Sequence, residues 1–128
     1  MKDITIYFQD ASAMRYPTAG DYLEKENEEW AVFVARTEDW RHQFLVLMHE
    51  LVEMALTKHR GIRWSEIDSF DMEGGGKDSD DPGALATAPY HKEHMFAENV
   101  ERFIADELGV DWNDYNTALD ALTYKTGE

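Results

Sequence analysis

The stretch FLVLMHELVEMAL, residues 44–56, is almost wholly apolar, yet it carries one histidine and two glutamates near its centre. On a helical wheel of about 100° per residue its apolar side chains cover nearly the whole circumference, which predicts a helix buried on most sides. His42, His49 and Glu53 share one narrow sector of that wheel, with Glu50 at its edge. Because an unpaired buried carboxylate costs several kcal/mol, the two glutamates must find partners or face a cleft.

The residues around this stretch give the helix its ends. Asp39 is suited to cap the N-terminus, and the apolar pattern continues to about Lys58. Lys58, His59 and Arg60 place positive charge at the C-terminal end of the helix dipole, just before Gly61. The sequence therefore predicts a long central helix from Asp39 to about Lys58.

Two more helices are predicted in the C-terminal third of the chain. One starts near Pro89, a residue favoured in the first helical turn, and stops at Gly109. The next begins at Asp111, where Val110 and Tyr115 have the spacing of a hydrophobic staple around the cap.

The N-terminal third has the pattern of β structure. Residues 3–10, DITIYFQD, alternate between apolar and polar, and residues 30–36, WAVFVAR, are rich in β-branched and aromatic side chains. Residues 16–22, YPTAGDY, carry the proline and glycine of a turn or loop. Residues 23–29, LEKENEE, fit either the rest of a hairpin or one helical turn.

A long connection joins the central helix to the second one. Residues 61–89 contain GGG, DPG and many acids, which predicts a short ordered piece around Trp64–Phe70 followed by an acidic loop at about 71–88. A loop of this length in a small domain is usually functional or mobile. Residues 125–128, KTGE, are expected to fray. The predicted fold is α+β: a small N-terminal strand or hairpin layer packed on about three helices, as one domain over residues 1–128.

Composition limits the possible functions. The chain has 128 residues, a hydrophobic fraction of 43% and four tryptophans, enough for one sizeable core. It has no cysteine, so disulfides and thiolate metal sites are excluded, and any metal must be held by histidine or carboxylate groups. We find no signal sequence and no span-length apolar run, so a cytoplasmic protein without a membrane partner is expected. The net charge of −15 argues against binding to nucleic acid, although a DNA-mimicking inhibitor would also be acidic.

The second predicted helix carries a polar set that matches the first. His91, His94 and Glu98 fall on one face at spacings of three and four, with Arg102 one turn further on. If the two helices pack with these polar faces against each other, five side chains converge: His49, Glu53, His91, His94 and Glu98. Nitrogen and oxygen ligands without sulfur suit Zn²⁺, or alternatively Mn²⁺ or Fe²⁺. The sequence does not choose between His91 and His94, because the choice depends on how the helices cross.

Other polar residues are candidates for supporting roles. Asp68 and Asp71 are candidates to orient a histidine ligand or to bind a second metal, and a solvated acidic loop is at least as good an interpretation of Asp71. Tyr90 is either a hydrogen-bond donor to an oxyanion or a partly buried aromatic side chain. A solvated acidic loop is the preferred interpretation of Asp78, Asp80 and Asp81.

HELVE, residues 49–53, resembles the HExxH helix of zincin-type zinc metallopeptidases. The resemblance implies that His49 binds zinc and that Glu50 is the catalytic base that activates water. Glu53 stands where those enzymes have their second histidine, and a carboxylate can also bind zinc. The strand at residues 30–36, just before the helix, is similar to the edge strand that lies beside a zincin active-site helix.

A longer resemblance is to an uncharacterised family of small phage and bacterial proteins. The segments that carry it are, in order, YPTAGD, HELVE, IDSFD at residues 67–71, DDPG at 80–83, PYHKEH at 89–94 with Glu98, and ELGVDW at 107–112. It covers most of the chain and implies one whole-domain unit of phage type, without implying an activity.

The preferred hypothesis is a metal-dependent hydrolase, zincin-like, acting on a peptide or on another amide or ester. One alternative is a two-metal helical oxidase or phosphohydrolase. Another is a structural metal that pins the long loop of a protein that binds a host factor. A third is an acidic interaction protein or DNA mimic without metal. Glu53 could also pair with Arg60 or Arg102 instead of a metal.

Overall fold

The computed structural model describes residues 1–124, so the predicted fraying of residues 125–128 lies outside the described residues. The predicted α+β fold is confirmed: a small N-terminal sheet packs on helices. The strands are β1 (Asp3–Gln9), β2 (Gly20–Glu24) and β3 (Glu29–Ala35). The helices are α1 (Trp40–His59), α2 (Trp64–Met72), α3 (His91–Glu107) and α4 (Trp112–Asp120). Short 3₁₀ turns lie at Ala11–Ala13, Glu26–Glu28 and Pro82–Ala84.

The sheet has the order β1-β3-β2, with β1 parallel and β2 antiparallel to the central strand β3. Helix α1 packs on β3 and β2. The apolar row of β3, formed by Trp30, Val32 and Val34, is therefore buried. Its partners in the parallel register are Ile4, Ile6 and Phe8 of β1. These three side chains are 41–42% exposed, so β1 is an edge strand with an apolar row that is only half covered.

Strand β2 corrects the prediction of a loop over residues 16–22. The Pro and Gly of that segment do mark a turn, but the strand begins at Gly20, and Asp21 and Tyr22 are buried. A Cβ atom on Gly20 would lie 2.6 Å from Glu50 Oε1 and 2.8 Å from Val46 Cγ1. Glycine is thus needed because β2 passes very close to α1. The next segment, residues 23–29, contains both proposed structures: the end of β2 and then a 3₁₀ turn.

The ends of α1 agree with the predicted ones. Asp39 accepts a hydrogen bond from the Arg41 amide at 3.0 Å, which satisfies one free amide of the first turn. The helix ends at His59, and Gly61 has a φ of +72°, a conformation that favours glycine at a helix C-terminus.

Helix α3 runs antiparallel to α1. At one end Arg60 pairs with Glu93 at 2.7 Å, and at the other end Arg41 donates to the carbonyl of Leu108 at 3.0 Å. This arrangement brings the middle of α1 opposite the middle of α3. The polar faces of the two helices can therefore meet, as the sequence predicted.

The helix count is four instead of about three, because the ordered piece predicted around Trp64–Phe70 is the helix α2. It continues to Met72, so the acidic loop starts later than residue 71. Helix α3 starts at His91, two residues after Pro89, and α4 is capped by Asp111 as predicted. Among residues 1–124, no helix combines the length and the apolar character needed to cross a membrane.

Candidate metal centre

Three side chains from α1 and α3 converge on one point. His49 Nε2 lies 3.0 Å from Glu53 Oε2 and 3.2 Å from His94 Nδ1, and His94 Nδ1 lies 2.9 Å from the same Glu53 oxygen. Residues 49 and 53 are one turn apart on α1, and residue 94 faces them from α3. The three atoms form a compact triangle of two imidazole nitrogens and one carboxylate oxygen.

The outer nitrogen of His49 is fixed by a carboxylate. Its Nδ1 lies 2.7 Å from Glu101 Oε1, and the hydroxyl of Tyr115 donates to the other oxygen of Glu101. Both Glu101 and Tyr115 are buried. A carboxylate only accepts hydrogen bonds, so His49 Nδ1 carries the proton and Nε2 is directed at the triangle.

The outer nitrogen of His94 is fixed in the same way from the long loop. Its Nε2 lies 3.0 Å from Asp81 Oδ1, which leaves Nδ1 to face His49 and Glu53. Gly83, two residues after Asp81, packs directly on the ring: a Cβ there would lie 2.4 Å from His94 Nδ1. The acidic loop is therefore part of the site.

This proton arrangement makes the triangle a cation site. In the neutral form of each histidine the outer nitrogen holds the only ring proton, so both inner nitrogens present lone pairs. Glu53 Oε2 adds a third acceptor, and three acceptors within 3.2 Å of one another repel unless a cation lies among them. The cation is either one or two extra protons or a metal ion.

The pKa values show how protons alone would satisfy the site. Burial opposes the charged form of His49, but hydrogen bonds to Glu101 and Glu53 raise its pKa well above the usual value. Burial also opposes the charge on His94, whose pKa is raised to about 9 by Asp81 and Glu53. For Glu53, burial favours the neutral form, yet the two histidines lower its pKa to about 2. A metal ion would replace the protons that these shifts hold in place.

The three donor atoms fit a small divalent metal. Zinc binds histidine nitrogen at about 2.0–2.1 Å, which keeps tetrahedral ligand atoms about 3.3–3.4 Å apart. The observed separations of 2.9–3.2 Å need to open by only a few tenths of an ångström. Tyr22 donates to the remaining oxygen of Glu53 at 2.9 Å and so holds that carboxylate in its orientation. Outer partners of this kind are the usual support of metal ligands.

Glu50 follows His49 in the chain and faces the same cleft, but it has no hydrogen-bond or ion-pair partner among residues 1–124. Its side chain is buried, with 8% of the residue exposed. Burial, and then the charge of Glu53, raise the pKa of Glu50 well above its usual value. A nearby divalent cation would act in the opposite direction and favour the carboxylate.

The cleft over these residues has a volume of about 760 Å³. One wall holds Arg15, which pairs with Asp21 at 3.0 Å and with Asp68 at 2.7 Å. Asp71 lies on the same side and accepts a hydrogen bond from Tyr90 at 2.5 Å. Asp68, Asp71 and Tyr90 therefore line the cleft without joining the triangle of donor atoms.

The structure separates the predicted ligands into two groups. It brings together His49, Glu53 and His94. It places His91 elsewhere, with Nδ1 3.0 Å from the carbonyl of Gly83, and Glu98 half-buried on the cleft wall. His91 and Glu98 were predicted to converge with the others, but on α3 residues 94 and 101 point at the centre of α1, and of these two only His94 joins the triangle.

Arg102, one candidate partner of Glu53, instead stacks its guanidinium over Trp112 at 4.6 Å. Arg60, the other candidate partner of Glu53, pairs with Glu93. Among residues 1–124, the charged partners of Glu53 are His49 and His94.

Several residues of the site, among them Glu101, Asp81 and Gly83, were not predicted from the sequence. Glu101 follows His94 by seven residues, which is two helical turns, so this spacing could have identified it. Asp81 was interpreted as part of a solvated loop, and its side chain is 54% exposed, but it also contacts His94. Gly83 was assigned only to a turn. No periodic pattern links the loop to the helices, so the sequence carried no signal for Asp81 or Gly83.

Comparisons of this chain with protein-family models, with curated proteins and with solved structures found no match.

Proposed function

We propose that this protein is a zinc-dependent hydrolase of peptides or of other amides or esters. The observation that carries the proposal is the convergence of His49 Nε2, His94 Nδ1 and Glu53 Oε2, with each outer histidine nitrogen held by a carboxylate. Two histidines and one carboxylate leave a further coordination position open, as in catalytic zinc sites.

Zinc in such a site supplies a Lewis acid that polarises a carbonyl and makes water more acidic. The chain would supply the rest of the chemistry. Glu50 is placed next to His49, is buried and has no partner among the described residues, so it is available to take a proton from water and pass it to the leaving group. Glu101 and Asp81 keep the histidine protons on their outer nitrogens.

Metal content tests the first half of the proposal. We expect about one equivalent of zinc in protein purified without a chelator, and loss of that zinc in His94→Ala. His59→Ala is the control, because His59 is exposed at the end of α1 and does not line the cleft. Absence of zinc, together with no binding of added Zn²⁺, Mn²⁺ or Fe²⁺, would remove the proposed site.

Glu50→Gln tests the second half, because glutamine keeps the size of the side chain and cannot accept the proton. The variant should retain zinc and lose at least about a hundredfold in hydrolysis of a panel of fluorogenic peptides and esters. Hydrolysis at the wild-type rate would show that Glu50 is not the base.

A structural metal site is the second candidate, and one observation favours it. Asp81 and Gly83 attach the long loop to His94, so a metal there would also hold the loop in place. In that case Glu50→Gln would change nothing, while removal of zinc would expose the loop to proteolysis.

A two-metal enzyme and a DNA mimic have less support than a single zinc site. The described residues contain one cluster suited to a metal, whereas a two-metal enzyme needs ligands for a second ion. A DNA mimic carries its charge on an outer face, whereas Glu50, Glu53 and Glu101 are buried. Two histidines and a carboxylate also suit Mn²⁺ or Fe²⁺, and metal analysis decides between these ions and zinc.

A further inference from the structure

The electrostatics of the cleft indicate what kind of substrate it admits. Among its described lining residues, eleven carry a carboxyl group, and only Arg15 and Lys77 carry a permanent positive charge. A bound divalent ion would neutralise only a small part of this excess of negative charge. Because a cleft focuses the field of the charges along its walls, it concentrates cations and repels anions such as phosphate esters.

Most of these carboxylates already have partners. Asp21 and Asp68 bind Arg15, Asp81 binds His94, and Glu101 binds His49. Glu98 differs from them. It is half-buried on the cleft wall, and no cationic side chain of residues 1–124 lies within ion-pair distance of it.

The position of Glu98 relates it to the metal centre. It lies one turn after His94 and one turn before Glu101 on α3, so its Cα is about 6 Å along the helix from that of His94. A lysine or arginine side chain next to a carbonyl at the metal centre would reach that distance. Glu98 is therefore placed to contact the substrate residue beside the bond that is cleaved.

A guanidinium group of the protein itself already lies on the cleft wall. Arg15 lies there with its guanidinium 5.3 Å from the ring of Tyr16 and 5.7 Å from the ring of Trp64, against two carboxylates. Aromatic faces and carboxylates together form a favourable site for a cationic side chain.

We infer that the substrate is a basic peptide segment, and that Glu98 selects a lysine or arginine beside the scissile bond. This inference rests on the proposed function. The negative charge of the same cleft would repel acidic and phosphorylated substrates.

The test measures binding of three fluorescent octapeptides that differ only in carrying lysine, glutamine or glutamate at the central positions. The zinc-loaded Glu50→Gln protein is used so that peptides are not consumed, at about 0.15 M salt to suppress weak surface attraction. The lysine peptide should bind at least about tenfold more tightly than the glutamine peptide. Glu98→Gln in the same background should reduce that preference about fivefold, which corresponds to the upper range of the free energy of a partly exposed ion pair.

The control is Glu107→Gln, an identical change of charge at an exposed position on the same helix. It should leave the preference unchanged, because Glu107 does not line the cleft. Equal binding of all three peptides, or equal effects of the two substitutions, would overturn the inference. Displacement by spermidine at lower concentration than by unlabelled peptide would assign the site to a free polyamine and also overturn it.

The failure of the inference and the failure of the proposed function give different results. Protein that binds zinc and shows no preference for the lysine peptide refutes the inference alone. Protein that binds no metal refutes the proposed function, whatever the peptides do.

Discussion

Replacement of Gly83 by alanine should disable the proposed metal centre without replacing any of its three candidate ligands. The Cβ of an alanine at this position would lie 2.4 Å from His94 Cγ, 2.4 Å from Nδ1 and 2.9 Å from Cβ. Ordinary contact begins at about 3.4 Å, so the imidazole must retreat by about 1 Å. Metal sites tolerate changes of only about 0.2 Å in ligand distance.

The expected effect is large because Nδ1 is the atom that faces Glu53 and His49. Loss of an outer partner of a ligand typically weakens metal binding by about 10–100-fold, and displacement of the ligand atom itself should reach at least the upper end. We therefore expect zinc to bind Gly83→Ala at least about a hundredfold more weakly, which is about 2.8 kcal/mol.

The assay is competition for zinc against a chromophoric chelator at pH 7.5. Gly75→Ala is the control from the same loop, where the nearest atom to the new Cβ is a Phe70 ring carbon at 3.1 Å. If the effect acts through His94, Gly83→Ala should add nothing to His94→Ala. Zinc affinity of Gly83→Ala within threefold of wild type would refute the reasoning, because it would show that the loop moves and the ring does not.

Three further outcomes follow from the same geometry. At pH 7 zinc binding should release at least about two protons, because the raised pKa values of His49 and His94 keep both charged in the metal-free protein, and Glu50, whose pKa is also raised, can add a third. Calorimetry in buffers of different ionisation enthalpy measures the number, and release of none would contradict the proton arrangement. Glu101→Gln should weaken zinc binding by about 10–100-fold in the chelator competition while Glu107→Gln does not, and equal affinities would show that His49 needs no carboxylate. Burial raises the pKa of Asp71 from 3.8 to about 6, so the folded state keeps a proton that the unfolded state loses, and this group lowers the free energy of unfolding as pH rises across that interval. In urea unfolding without metal, Asp71→Asn should be more stable than wild type by an amount that grows from about pH 4 to pH 6 and is constant above. A stability difference independent of pH would refute this reasoning.

The helices were predictable because their signals are local. Asp39 and Asp111 cap α1 and α4, and Gly61 and Gly109 follow the ends of α1 and α3. Each signal depends on residues within one or two turns, so no knowledge of tertiary structure was needed. The candidate ligands His49 and Glu53 were also predictable, because polar side chains on one face of an apolar helix need a partner.

The rest depended on packing between distant segments. Strand β2 resembles a loop in sequence because Gly20 serves a close approach to α1 that only the folded chain reveals. The choice of His94 over His91 follows from the antiparallel crossing of α1 and α3. Asp81 reaches the site from a loop whose composition is typical of solvated turns, so its role could not be found from the sequence.

The parallel pairing of β1 with β3 has a consequence for the order in which the chain folds. Each β1 residue pairs with the residue 26 positions later, as Asp3 does with Glu29. The β2–β3 hairpin closes over a much shorter distance, and β1 can be added only to an existing β3 edge. We expect β1 to dock last and to detach first.

The proposed metal centre does not depend on that last step. Its ligands come from α1 and α3, and the sheet contributes Tyr22 and Gly20 from β2, the strand on the far edge from β1. The N-terminal strand can therefore open transiently, as edge strands do in native-state exchange, while the residues that would hold the ion remain assembled.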